Sequence, residues 1–278
     1  MKDQPMDEPM KTARDGIAIV GEIIKAAGDN PQVKEAGVNL GQTALTITKT
    51  INNALLPLAA INFAFDKARV YFAEKFQSDL SAKAATIPVE CLVEPKASIA
   101  GPALQGLAFT HEEPNLKDMY LSLLATAMDG RHAHDAHPAF IEIIKQLNSE
   151  KARLLREILD SPGATPIVEI RRNNVGRSGW TVLQPHVLNL RESSDGEPVE
   201  NNTQLAAMVD NWVRLGLADV DYTVHITDQN AYGWVEGRPE YQRFREQIKG
   251  DDAKITFAKG RLVRTSLGLQ FARAAGLL

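Results

Sequence analysis

The chain has 278 residues, 44% of them hydrophobic and 24% charged, with a net charge of −4. That length is enough for one large domain or two modest ones, and the balance excludes bulk disorder. It also lacks the basic excess of a protein built to coat nucleic acid.

Cys91 is the only cysteine. An intramolecular disulfide and a cysteine-based zinc site are therefore excluded, which fits a reducing, cytoplasmic setting. Residues 1–11 are polar and carry Pro5 and Pro9. They read as a disordered tail rather than a signal peptide or membrane anchor.

From Thr12 to Ala27, the residues Ile17, Val20, Ile24 and Ala27 recur at helical spacing. Gly28-Asp29-Asn30-Pro31 breaks the pattern. A second helix is expected from Gln32 to about Leu56, and Pro57 opens or kinks the next, which runs to about Lys83. Between Ala36 and Phe65 the only charge is Lys49. Gly37 and Gly41 form a GxxxG spacing. Asn39, Gln42, Asn52, Asn53 and Asn62 interrupt the segment, so it lacks the run of about 20 apolar residues that a spanning helix needs. Gly37, Gly41, Leu45, Ile51, Leu55 and Leu58 are the candidate face for self-association, or for membrane contact on activation.

Pro88 and Pro95 predict extended chain from Thr86 to Ala97. Helices follow at Ile99–Phe109, Pro114–Met128, from Pro138, and from Ser149 to Asp160, with Pro114 placed in a first turn. After Ser161-Pro162-Gly163 the character changes. Strands are expected at Ile167–Ile170, Trp180–Leu183 and Ala218–Ile226, and Glu192–Asn202 reads as a polar loop. A helix spans Thr203 to Leu215 and stops at Gly216. Lys254–Phe257 and Leu262–Arg264 flank Ala258-Lys259-Gly260 as a hairpin, and Thr265 caps a last helix, Leu267–Ala275. The expected fold is therefore α+β. A helical platform over residues 12–160 precedes a winged-helix-like mixed α/β domain over residues 161–278.

Three histidines and two acids fall between Asp129 and His137. Metal sites use such ligands, but a short loop presets no geometry, and no HExxH spacing is present. Asp129, at a helix end, is placed to pair with Arg131. His137, before Pro138, is placed to cap the next helix. The pair reads first as a structural junction and only second as a metal site, and no cofactor is expected. Cys91 has no base beside it and reads as a small buried hydrophobe. No nucleophile elbow, phosphate loop or dinucleotide fingerprint appears. The Thr203–Leu215 helix offers Arg214 against Asp210, a poor phosphate reader. The hairpin cations Lys254, Lys259, Arg261 and Arg264 are the better candidates for a nucleic-acid or other anionic partner.

The run from Glu90 to Leu155 resembles the bacterial abortive infection alpha family. The residues that carry it include Pro95, Ile99-Ala100-Gly101-Pro102, Leu107, Leu116, Met119-Tyr120, Leu123 through Asp129, His137-Pro138, Phe140 and Glu142 through Leu147. Of the histidine loop, only Asp129 and His137 fit the family pattern, which weakens a three-histidine site. The resemblance implies a setting in defence against bacteriophage, with the rear part as a variable winged-helix-like extension. The resulting expectation is a non-enzymatic antiphage protein that acts by contact with a protein partner or phage component, as a homo-oligomer or at a membrane. The alternative is a winged-helix regulator that binds nucleic acid.

Overall fold

A computed structural model describes residues 65–174, 176, 178–190, 203–248 and 253–278. The expected helices Thr12–Ala27 and Gln32–Leu56, the candidate face Gly37 to Leu58 and the loop Glu192–Asn202 lie outside the described residues. The chain divides into two compact units, residues 1–152 with 273–277 and residues 153–272 with 278.

The described part of the first unit is helical. α1 (Phe65–Glu74) and α2 (Phe76–Ala84) stand where one continuous helix was expected. The backbone departs from helix at Lys75, where φ is −119° and Ser78 Oγ donates to the Lys75 carbonyl. No glycine or proline marks that point. A single turn at Val89–Cys91 then leads to α3 (Ala97–Thr110), α4 (Pro114–Met128), α5 (Pro138–Ile144) and α6 (Ser149–Asp160), whose residues from 153 onward belong to the second unit. Pro114 and Pro138 each open a helix, where the missing N–H costs nothing.

Phe76, Leu80, Leu104, Leu107, Leu123 and Phe140 are fully buried and form the centre of this unit. α3 and α4 approach closely where Gly106 meets Tyr120. A Cβ at Gly106 would lie 2.4 Å from the Tyr120 hydroxyl oxygen, so only glycine leaves room for the ring. The segment 273–277 packs back onto α4, with Thr126 Oγ1 donating to the Ala274 carbonyl at 3.1 Å.

The second unit is built on a four-stranded antiparallel sheet of order β2-β1-β4-β3. The strands are β1 (Thr165–Asn174), β2 (Trp180–Leu188), β3 (Ala218–Asp221) and β4 (Ala253–Arg264). β4 corrects the expected hairpin. It is one continuous strand that pairs with β1 from Thr165–Leu262 to Asn174–Ala253. Gly260 is not a turn residue, since it stands opposite Ile167 within the unbroken ladder. It is small because Tyr222 lies over it, and a Cβ there would sit 2.5 Å from the tyrosine ring. Without a turn at Ala258–Gly260 there is no wing of the expected kind, and the fold here is mixed α/β around a longer sheet. β3 also ends earlier than the expected strand, at Asp221, where Asp221 Oδ1 accepts from the Thr223 N–H and hydroxyl in a side-chain turn.

The period of two sorts β-residues onto two faces. Val168, Ile170, Val187 and Ile255 pack with Tyr232, Val235 and Tyr241, which come from the segment after β3 and from α8 (Pro239–Gln247). That helix was not expected from the sequence. On the other face, α7 (Thr203–Arg214) packs against β2 and β3. Gly216 ends α7 with φ of 73°, a left-handed conformation that favours glycine. α9 (Ser266–Ala274) begins as expected, with Thr265 Oγ1 accepting from the Gly268 N–H at 2.9 Å.

Gly260→Ala is expected to destabilise the protein by about 1–3 kcal/mol, the usual cost of overpacking. Equilibrium denaturation measures it. An unchanged midpoint would contradict the tight packing of Tyr222 over β4.

Candidate functional site

In the first unit, the predicted junction forms between α4 and α5. The Val89–Val93 segment crosses the end of α4. The Val93 N–H donates to the Met128 carbonyl at 2.8 Å, and the Gly130 N–H donates to the Cys91 carbonyl at 2.7 Å. Asp129, only 6% exposed, stands at the C-terminal end of α4. Its Oδ1 accepts from the Arg131 N–H at 3.0 Å and Nε at 2.9 Å, and its Oδ2 accepts from Nη2 at 2.6 Å. These bonds hold the carboxyl below its usual pKa range, chiefly through the guanidinium of Arg131. The predicted cap forms too, with His137 Nδ1 accepting from the Ala139 N–H at 3.1 Å. Asp129 and His137 thus serve adjacent turns of backbone.

His132 and His134 approach Asp135 at 3.5 and 3.6 Å; both histidines are exposed and Asp135 is half-buried. Among the described residues, no group of three His, Cys, Asp or Glu side chains is gathered to hold a metal. Cys91 is half-buried rather than buried, and its carbonyl serves the junction. A cavity of about 430 Å³ lies between α3, α4 and α5, lined by Phe109, Leu116, Tyr120 and Ile144 with Glu113 and Lys145. The Tyr120 hydroxyl is buried there without a hydrogen-bond partner.

In the second unit, the four predicted cations do not form one patch. Lys259 and Arg261 share the face of β4 that carries Ile255, whereas Lys254 and Arg264 share the opposite face. Lys259 Nζ lies 5.3 Å from the Tyr232 ring centroid. Arg261 stands opposite Asp221 of β3. Arg264 donates to the Leu159 carbonyl. Lys254 is exposed at the far end of the strand.

The sequence reading missed a linked group at the top of the sheet. β2 bulges opposite β1, where Val168 faces Val187 but Ile170 faces Gln184. His186 sits in the bulge with φ of +55°, the one positive value for a non-glycine among the described residues. Its N–H donates to the Tyr222 hydroxyl oxygen at 3.2 Å, its Nδ1 lies 3.1 Å from the same oxygen, and its Nε2 lies 3.0 Å from Asp210 Oδ1. Nε2–H donating to Asp210 leaves Nδ1 to accept from Tyr222, so the arrangement defines one tautomer. Burial pushes the Tyr222 hydroxyl well above its ordinary pKa, which keeps the tyrosine neutral and able to donate. The three residues come from β2, α7 and the turn after β3, so no spacing in the sequence announces them.

A second missed pair, Arg238 and Glu240, is fully buried. Arg238 Nε donates to Glu240 Oε2 at 3.1 Å, and Nη2 donates to Oε1 at 2.9 Å. It pins the start of α8, and neither residue faces solvent.

Asp129→Asn removes the charge and keeps the shape. A loss of about 1–3 kcal/mol is expected, as for a buried hydrogen-bonded charge. The pH dependence has a defined sign. A carboxyl whose folded pKa is depressed contributes stability above its unfolded value of about 3.9, and that contribution is lost as pH falls through the folded value. Wild type should therefore lose more stability than Asp129→Asn between pH 5 and pH 2 in acid denaturation, in the range where carboxylates titrate. Parallel curves would refute the assignment. His137→Ala should cost about 1 kcal/mol as a lost cap.

The model of the abortive infection alpha family matches residues 68–275. The match takes in the sheet unit, which the resemblance over Glu90–Leu155 had left to a variable extension. No curated protein and no solved structure matches the chain. With most of its length inside the family model, the chain belongs to the abortive infection alpha family.

Proposed function

We propose that the protein is a non-enzymatic, cytoplasmic antiphage component that acts by contact: self-association, binding of a phage or host protein, or regulated membrane engagement. The observation that carries this reading is the family match over residues 68–275, which spans both units. The use of Asp129 and His137 supports it, since both serve backbone groups in a helix junction. The contact face is assigned to Gly37, Gly41, Leu45, Ile51, Leu55 and Leu58, in the segment with a single charge. Among the described residues, no helix is long and apolar enough to cross a membrane. Engagement of a bilayer would therefore fall to the low-charge segment.

One observation favours a second reading, a regulator that binds nucleic acid. Residues 165–188 and 253–264, which contain the three adjacent strands β2, β1 and β4, carry seven Lys and Arg against a single carboxylate, Glu169. The chain as a whole is acidic. An anionic polymer is a natural counterpart of such a local excess of cations.

Phage challenge of cells expressing the protein tests the first reading. Leu45→Lys with Leu55→Lys is expected to abolish protection, returning plaque counts to those of cells without the protein. His137→Ala is expected to retain protection, because it weakens a cap and removes no contact. Undiminished protection by the double-lysine chain would sink the role given to that face. Loss of protection in a stably folded His137→Ala chain would instead favour chemistry at the junction.

A further inference from the structure

The sheet face opposite α8 is covered by α7 only in part. At its open end, register sets Arg171 opposite both Val182 and Thr256, and Asn173 opposite both Trp180 and Lys254. Residues directly opposite share a face, so these six side chains form one surface. It is not packed like the other side of the sheet. Trp180 is 57% exposed and Val182 is 42% exposed.

Two features of this surface identify its partner. The first is the aromatic ring. The guanidinium of Arg171 lies 4.2 Å from the Trp180 ring centroid, and Glu169 holds Arg171 by an ion pair. One side of the indole is thereby fixed against a cation. Its exposure leaves the other side for a second planar group. The second feature is charge. Lys254 is exposed across Asn173 from Trp180. The one carboxylate on these strands, Glu169, is already paired with Arg171. A base stacks on a free aromatic face and a phosphate is met by a neighbouring cation. Asn173 and Thr256 add hydrogen-bonding groups between the two. A duplex hides its base faces, so a flat platform of this kind selects unpaired strands.

We propose that the open end of this sheet face binds single-stranded nucleic acid, with a base stacked on Trp180 and an adjoining phosphate met by Lys254. The proposal deepens the nucleic-acid reading above and moves its centre from the four predicted cations to the β1–β2 hairpin and the start of β4. Of those four, only Lys254 belongs to the surface.

Fluorescence anisotropy on the full chain tests it, with labelled oligo-U and oligo-dT of about 16 nucleotides, the upper range for one such platform. Binding is expected at about 50 mM salt, weakening toward about 200 mM as counterion release requires. A duplex of equal length should bind more weakly. Trp180→Ala should lower affinity about ten-fold, the usual loss for one stacked base. Its thermal midpoint should be unchanged, because the ring is exposed. Lys254→Gln should reduce the slope of log affinity against log salt by about 0.7. The relative affinity of the two oligomers says whether RNA or DNA is preferred. No single-strand binding at low salt, equal binding by Trp180→Ala, or preference for the duplex would each overturn the proposal. Phage challenge run in parallel separates the two readings. Protection without oligonucleotide binding overturns this face alone. Protection lost by Trp180→Ala in a chain that never bound oligonucleotide assigns the face to a protein partner.

Discussion

Ten consecutive residues of β1 stand opposite ten of β4 in antiparallel register, from Thr165 against Leu262 to Asn174 against Ala253. That ladder decides most of what the second unit can do. Because side chains alternate, it commits Val168, Ile170, Ile255 and Phe257 to one side with Tyr232 and Tyr241, and commits Glu169, Arg171 and Thr256 to the other. A slip of one residue would exchange the two sets, so the apolar cluster holds the register. The same alternation scatters Lys254, Lys259, Arg261 and Arg264 over both faces. It also leaves no slack at Gly260, which Tyr222 covers, or at the bulge of β2, where His186 takes up the extra residue in a left-handed conformation.

The first unit depends on close approach rather than on register. Gly106 lets α3 meet the Tyr120 ring of α4, and the end of α4 is then tied by the Val89–Val93 segment, by Asp129 and by Arg131. The terminal carbonyls and N–H groups of α4 and α5 must find partners once the chain turns between them. The Val93 N–H meets the Met128 carbonyl at the end of α4, and His137 Nδ1 accepts from the Ala139 N–H at the start of α5.

Local physics was legible in the sequence. Pro114 and Pro138 announced helix starts, Gly216 a helix stop, and Thr265 and His137 caps, because each acts through its own backbone or that of residues within one turn. Asp129 could be paired with Arg131 for the same reason. Leu116, Tyr120 and Leu123 of α4 and Leu155 and Leu159 of α6 recur at helical spacing, and all are buried. The break at Lys75 and the helix Pro239–Gln247 escaped, the first for want of glycine or proline, the second because its sequence is too polar to show a stripe.

By itself, then, the sequence determined the family, the order of helices before strands, and the capping residues, all of which depend on neighbours along the chain. Only the tertiary structure decided that Ala258-Lys259-Gly260 runs straight. Those residues have the composition of a turn, but pairing along the whole of β1 outweighs a local turn preference. Only it could bring His186, Asp210 and Tyr222 together, or set Trp180 beside Arg171 and across from Lys254. Such groupings are made by strand register and helix packing, which act between segments far apart in sequence and leave no spacing to read.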